Sequence, residues 1–126
     1  MKGTVLIVDD EPQVLKTAAT ALRMGGYRVL TAATSREAEL ICRDAAELLD
    51  VLVMDVVLQG EHGFDVAPSL LSLQAKMRVI YISGYPGQLL YEIQQRADPF
   101  LFKPFTPEQL IEAVDRLVAE QVPRAA

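Results

Sequence analysis

Five polar side chains stand at the ends of apolar runs and could share one piece of chemistry: Asp9, Asp10, Asp55, Ser83 and Lys103. Asp9 and Asp10 follow Thr4-Val5-Leu6-Ile7-Val8, and Asp55 follows Val51-Leu52-Val53-Met54. Ser83 follows Val79-Ile80-Tyr81-Ile82, and Lys103 follows Phe100-Leu101-Phe102. Three carboxylates in one crevice disfavour full ionisation unless a cation relieves them. Oxygen donors without His or Cys favour a hard ion, Mg²⁺ (or Mn²⁺), which keeps water positions open to phosphate oxygens. A carboxylate can also act as a nucleophile and become an aspartyl phosphate. The transferring phosphoryl group then needs positioned positive charge, which the metal and Lys103 would provide, with Ser83 as a further donor. Asp55 stands alone at the end of a central run, between the acidic pair and Ser83, and is the expected nucleophile.

The elements that must position these groups alternate regularly. The run from Thr4 to Val8 is a strand covered on both faces. Glu11-Pro12 opens a helix carrying Val14, Leu15, Ala18, Ala19 and Leu22, which stops at Gly25-Gly26. Tyr27 to Ala32 alternates, Arg28 out and Val29 in, as a short edge strand. Thr34-Ser35-Arg36-Glu37 is a capping box for a helix with Ala38, Leu40, Ile41 and Ala45 inward. After Asp55, a loop with Gly60 and Gly63 leads to a helix bearing Phe64, Val66, Leu70, Leu71 and Leu73. Gln88 to Arg96 is helical between Pro86-Gly87 and Asp98-Pro99. Thr106-Pro107-Glu108-Gln109 is a second capping box, opening a last helix that Pro123 ends. Five β-then-α units imply an α/β fold, a parallel sheet with right-handed crossovers and helices on both faces. Such sheets place sites at the carboxyl ends of their strands, where all five polar groups lie.

Length and composition set the outer limits. The 126 residues make one domain, 51% hydrophobic and 23% charged, as in a globular protein. No apolar stretch reaches the roughly 20 residues of a membrane helix, and Met1 to Thr4 is too short for a signal peptide before the first strand. A single cysteine, Cys42, fits a reducing, cytoplasmic setting and reads as a small buried hydrophobe. The net charge of −5 and scattered basic residues argue against nucleic-acid binding by this chain. His62, the one histidine, lies in a Gly-flanked loop and reads as solvated.

In combination, Val8-Asp9-Asp10-Glu11, Met54-Asp55, Ile82-Ser83-Gly84 and Phe102-Lys103-Pro104 resemble the receiver domain of bacterial two-component response regulators. The resemblance runs from about Thr4 to Val118, with a core of about 4–119, a single domain over 1–126 and a tail at 120–126. It implies a flavodoxin-like doubly wound sheet of five parallel strands in the order 2-1-3-4-5. By resemblance, Asp55 is the phosphoacceptor, Asp10 the direct metal ligand, Asp9 a ligand partly through water, and Val57 a ligand through its backbone carbonyl. Ser83 matches the switch hydroxyl, Lys103 the lysine before proline, and Phe100 the aromatic whose rotamer reports phosphorylation. The implied partner is a histidine kinase or histidine phosphotransfer protein, whose phosphohistidine supplies the phosphoryl group.

Three departures stand out. Gln59 occupies a position where many such sequences have proline, which implies a looser loop after Asp55. Val57 and Tyr85 are bulky and non-acidic, so no acidic help to an attacking water is expected. The span between Ser83 and Lys103 is compact, which implies a short or irregular fourth helix. Ser-Gly-Tyr followed by Lys-Pro-Phe-Thr also resembles receivers attached to hybrid kinases. The expected output is a switched protein-interaction surface with an unidentified downstream target. The alternatives are a receiver-like module that binds without phosphorylation and a Mg²⁺-dependent aspartyl phosphatase. The latter lacks a general acid, because Val57 stands two residues beyond Asp55. A nucleotide- or flavin-binding module would need a phosphate-cradling loop where Asp9-Asp10-Glu11 stands.

Overall fold

The computed structural model describes residues 1–44, 46–84 and 90–120. In chain order the elements are β1 (Thr4–Val8), α1 (Pro12–Met24), β2 (Arg28–Ala32), α2 (Ser35–Arg43) and β3 (Val51–Asp55). Next come β4 (Val57–Leu58), β5 (Glu61–His62), α3 (Gly63–Leu71), β6 (Arg78–Ser83), α4 (Leu90–Gln95), β7 (Phe100–Phe102) and α5 (Pro107–Glu120). The main sheet has five parallel strands in the order β2-β1-β3-β6-β7. Counted among the main-sheet strands alone, that is the expected 2-1-3-4-5.

Alternation along the strands sends successive side chains to opposite faces, each with its own core. On one face Leu6, Leu52, Met54 and Tyr81 pack with Ala38 and Cys42 of α2, Phe64, Ala67 and Leu70 of α3, and Ile93 of α4. On the other, Val5, Ile7, Val53, Ile80 and Ile82 pack with Ala18 and Leu22 of α1 and with Leu110, Val114 and Leu117 of α5. Every residue of β1 and β3 is buried, as a strand covered on both sides requires.

Local signals explain the helix ends. Thr106 Oγ1 accepts from the Gln109 N–H at 3.1 Å, while Gln109 Oε1 accepts from the Thr106 N–H at 2.8 Å, a reciprocal capping box. At α2, Thr34 Oγ1 accepts from the Glu37 N–H at 3.1 Å, but the Glu37 carboxylate reaches back one residue further, to the Ala33 N–H. Past α1, Gly26 takes the left-handed backbone at φ +98 and lets the chain turn into β2.

Two expectations need correction. Leu40 was placed inward on α2 and is exposed. The buried stripe of that helix runs through Ala38 and Cys42 with Ile41 beside it, and position 40 falls about 200° round the helix from 38. The connection after Asp55 is not loose either: β4 and β5 form a two-stranded antiparallel hairpin, with Val57 opposite His62 and Leu58 opposite Glu61. Gly60 turns that hairpin in the left-handed backbone at φ +71, facing open space. Ala45, Tyr85, Pro86-Gly87, Gln88 and Pro123 lie outside the described residues.

Candidate functional site

Register alone brings the polar groups to one edge. Val8 is paired with Met54, Asp55 with Ile82, and Ser83 with Phe102, so the residues that end or follow these strands become neighbours. The Lys103 N–H donates to the Ser83 carbonyl at 2.8 Å, carrying the ladder one step beyond β7. The Lys103-Pro104 peptide is cis.

Lys103 is the centre of the cluster. Its Nζ lies 2.8 Å from Asp9 Oδ2, 3.1 Å from Glu11 Oε1 and 3.3 Å from Asp55 Oδ2. Asp9 is fully buried and Asp55 is 3% exposed. Asp9 Oδ1 accepts from the Glu11 N–H at 2.8 Å, which sets the turn into α1. Asp9 Oδ2 has the ammonium at ion-pair distance but no partner in hydrogen-bond geometry. Asp55 Oδ1 accepts from the Val57 N–H at 3.1 Å. Burial, and then the charge of Asp9, push the Asp55 carboxyl up to about 6, against partial relief from the Val57 N–H and Lys103. Burial alone would lower the Lys103 ammonium, but the carboxylates of Asp9, Asp55 and Glu11 outweigh it and hold Lys103 firmly protonated.

The backbone around Asp55 leaves no room to spare. A Cβ on Gly63 would stand 2.2 Å from the Asp55 carbonyl oxygen, so α3 can begin this close to β3 only at a glycine. The Gly63 N–H donates to the Val56 carbonyl at 2.6 Å and closes the loop.

Of the residues expected at the site, Asp9, Asp55 and Lys103 meet directly. Ser83 is buried at the end of β6, beside the chain that carries Lys103. Val57 follows Asp55 with its side chain half exposed and its N–H on the Asp55 carboxylate. Phe100, partly buried at the start of β7, packs against the core that contains Tyr81. Asp10 sits apart: its Oδ2 accepts from the Gln59 N–H at 3.1 Å, on the hairpin side. The sequence reading did not place Glu11 at the site. The ligand atoms of Asp9, Glu11 and Asp55 lie within 4.8 Å of one another, a spacing that a single ion could bridge. An acidic residue opening a helix also suits the helix dipole, so sequence alone could not separate the two roles.

The donor set fits a hard divalent cation. It is all oxygen, its carboxylates are crowded enough to raise Asp55, and one buried carboxylate oxygen lacks a hydrogen bond. Beside it lies a groove of about 430 Å³ whose walls include Val14, Ala18, Pro104 and Phe105, with Glu11 and Lys103 at its rim. No helix among the described residues is long and apolar enough to cross a membrane.

Residues 5–115 match the family model of the response regulator receiver domain. Response regulator SaeR of Staphylococcus epidermidis is 27% identical over 118 residues, covering 91% of this chain and 50% of that protein. The chain therefore spans about half the length of that curated relative. The receiver domain of the hybrid histidine kinase CckA superposes with a TM-score of 0.77 at 32% identity, over 92% of this chain and 99% of that one. A response regulator from Burkholderia pseudomallei, solved with a phosphorylated aspartic acid, a calcium ion and citrate, gives a TM-score of 0.76 at 26% identity. That match covers 94% of this chain and 69% of the other.

Proposed function

The chain belongs to the response regulator receiver domain family, and from that premise we propose that Asp55 takes a phosphoryl group from a phosphohistidine on a partner protein. The observation that carries this reading is the Lys103 ammonium within 3.3 Å of the Asp9, Glu11 and Asp55 carboxylates at neighbouring strand ends. An Asp55 carboxylate oxygen attacks phosphorus in line. The new P–O bond forms as the P–N bond to the partner's imidazole breaks, and the imidazole nitrogen leaves with that electron pair. Asp9, Asp10, Asp55 and the Val57 carbonyl would hold Mg²⁺ (or Mn²⁺), which would supply positive charge to the phosphoryl oxygens. Lys103 pairs with a phosphoryl oxygen once Asp55 has become an acyl phosphate, a mixed anhydride, and the Ser83 hydroxyl donates to another. The phosphorylated aspartic acid of the Burkholderia pseudomallei relative supports the same fate for Asp55 here.

The donor is a histidine kinase or a histidine phosphotransfer protein. The apolar groove at Val14, Ala18, Pro104 and Phe105 suits a helix of that partner, because it opens beside Lys103. The single domain over 1–126 acts in the cytoplasm as a signalling phosphoacceptor and not as a turnover enzyme. Val57 two residues after Asp55 offers no general acid for a phosphatase. Contact of the Ser83 hydroxyl with the phosphoryl group, accompanied by a change in the Phe100 rotamer, alters a surface read by a downstream protein.

Incubation with Mg²⁺ and a small phosphodonor such as acetyl phosphate, followed by intact-mass measurement, tests this. The wild-type chain should gain the mass of one phosphoryl group, and Asp55→Asn should gain none. Equal gain in both, or none in the wild type, would refute it.

A further inference from the structure

Asp10 and Glu11 are adjacent in sequence, yet only Glu11 joins Asp9 and Asp55 in the cluster within 4.8 Å. The Asp10 carboxylate is engaged elsewhere, with its Oδ2 3.1 Å from the Gln59 backbone nitrogen at the turn of the β4–β5 hairpin. The same hairpin is tied on its other flank, where the Ser35 hydroxyl at the start of α2 donates to Glu61 Oε1 at 2.7 Å. A strap of residues 57–62 is therefore held between the acidic edge and α2. We infer that the Gln59 N–H is a positioning group that latches Asp10 to this hairpin in the metal-free protein, so that recruitment of Asp10 by a divalent cation competes with the latch.

The inference rests on the proposed metal site and assigns Gln59 a part in setting its affinity. With Asp10 drawn outward, Lys103 is the cation among Asp9, Glu11 and Asp55. A metal that draws Asp10 inward to the cluster competes with a hydrogen bond between an amide and a carboxylate. Such a bond is stronger than one between neutral groups, although its exposure to solvent weakens it. The contact comes from the backbone of residue 59, so the Gln59 side chain is dispensable to it. Proline at 59 removes the donor, whereas alanine keeps it.

Mg²⁺ titrations of the wild type, Gln59→Ala and Gln59→Pro test the latch. Two readouts apply: calorimetric affinity and the NMR signal of His62, which is the one histidine and sits opposite Val57 in the hairpin. Gln59→Ala should bind as the wild type does, and Gln59→Pro about three- to tenfold more tightly. The metal-free His62 signal of Gln59→Pro should lie nearer the metal-loaded position of the wild type. If Gln59→Pro does not fold, replacing the Leu58–Gln59 amide by an ester deletes the same N–H and should give the same gain. Unchanged or weaker binding on loss of the N–H would overturn the latch while leaving the metal site standing. No saturable Mg²⁺ binding by the wild type would overturn both, and binding unchanged in Asp10→Asn would overturn the latch together with Asp10's part as a ligand.

Discussion

Asp50 and Asp55 flank the two ends of β3, and the two ends treat a carboxylate in opposite ways. At the amino end, Asp50 Oδ2 accepts from the Thr4 N–H at 2.8 Å, while the Asp50 backbone pairs with the Thr4 carbonyl and the Arg78 N–H. Nearby, the buried Gln74 amide donates to the Cys42 and Glu47 carbonyls and accepts from the Leu49 N–H. Each polar group there completes another, and the result joins strands and loops. At the carboxyl end, two buried carboxylates crowd one ammonium, Asp55 is pushed up to about 6, and Asp9 Oδ2 lacks a hydrogen bond. One edge is closed chemistry that stabilises the fold. The other holds unbalanced charge that a metal and a phosphoryl group would complete.

The largest test of that contrast is Lys103→Met. It leaves Asp9 and Asp55 buried without a cation and should cost about 3–5 kcal/mol in urea unfolding. Excess Mg²⁺ should restore part of the loss, whereas a purely structural lysine would show no such rescue.

Asp55→Asn comes next and carries the opposite sign. The folded Asp55 carboxyl ionises at about 6 against an ordinary 3.8, so the fold holds its proton more tightly than the unfolded chain does. The stability contributed by the protonated form is complete below about pH 4 and lost as the pH rises through about 6. Asparagine stays neutral throughout. Metal-free Asp55→Asn should therefore match the wild type at low pH and exceed it by up to about 3 kcal/mol above pH 6, measured by denaturation across pH. Mg²⁺ should shrink the gap.

Asp50→Ala should have the smallest effect, a loss of about 1–2 kcal/mol because the buried Thr4 N–H loses an acceptor. Mg²⁺ should not alter it. If Asp50→Ala and metal-free Asp55→Asn shifted stability in the same direction at pH 8, the contrast between the two ends would fail.

Much of this was legible beforehand because apolar runs and helix signals are local. The fully apolar Thr4–Val8 and Val51–Met54 are strands with both faces covered, and Thr106 with Gln109 caps α5 as its spacing implies. Asp9, Asp55 and Lys103 were found because each ends or follows such a strand, and parallel register carries strand ends to one edge. Leu40 was misplaced because an apolar residue does not by itself say which side of a short helix is covered, and the stripe through Ala38 and Cys42 leaves it outside. The hairpin after Asp55 escaped notice because each of its strands has only two residues, too few to show a period.

The sequence by itself determined the alternation of strands and helices, the parallel sheet and the line of polar groups along its carboxyl edge. Periodicity and strand-end position carry that much without knowledge of partners. Only the tertiary structure decided which acids share Lys103. The Asp9–Glu11 turn brings Glu11 to the ammonium, while a hairpin amide from across the edge engages Asp10. Neighbours in sequence were separated by hydrogen bonds to distant backbone, and that is a property of packing, which no local pattern records.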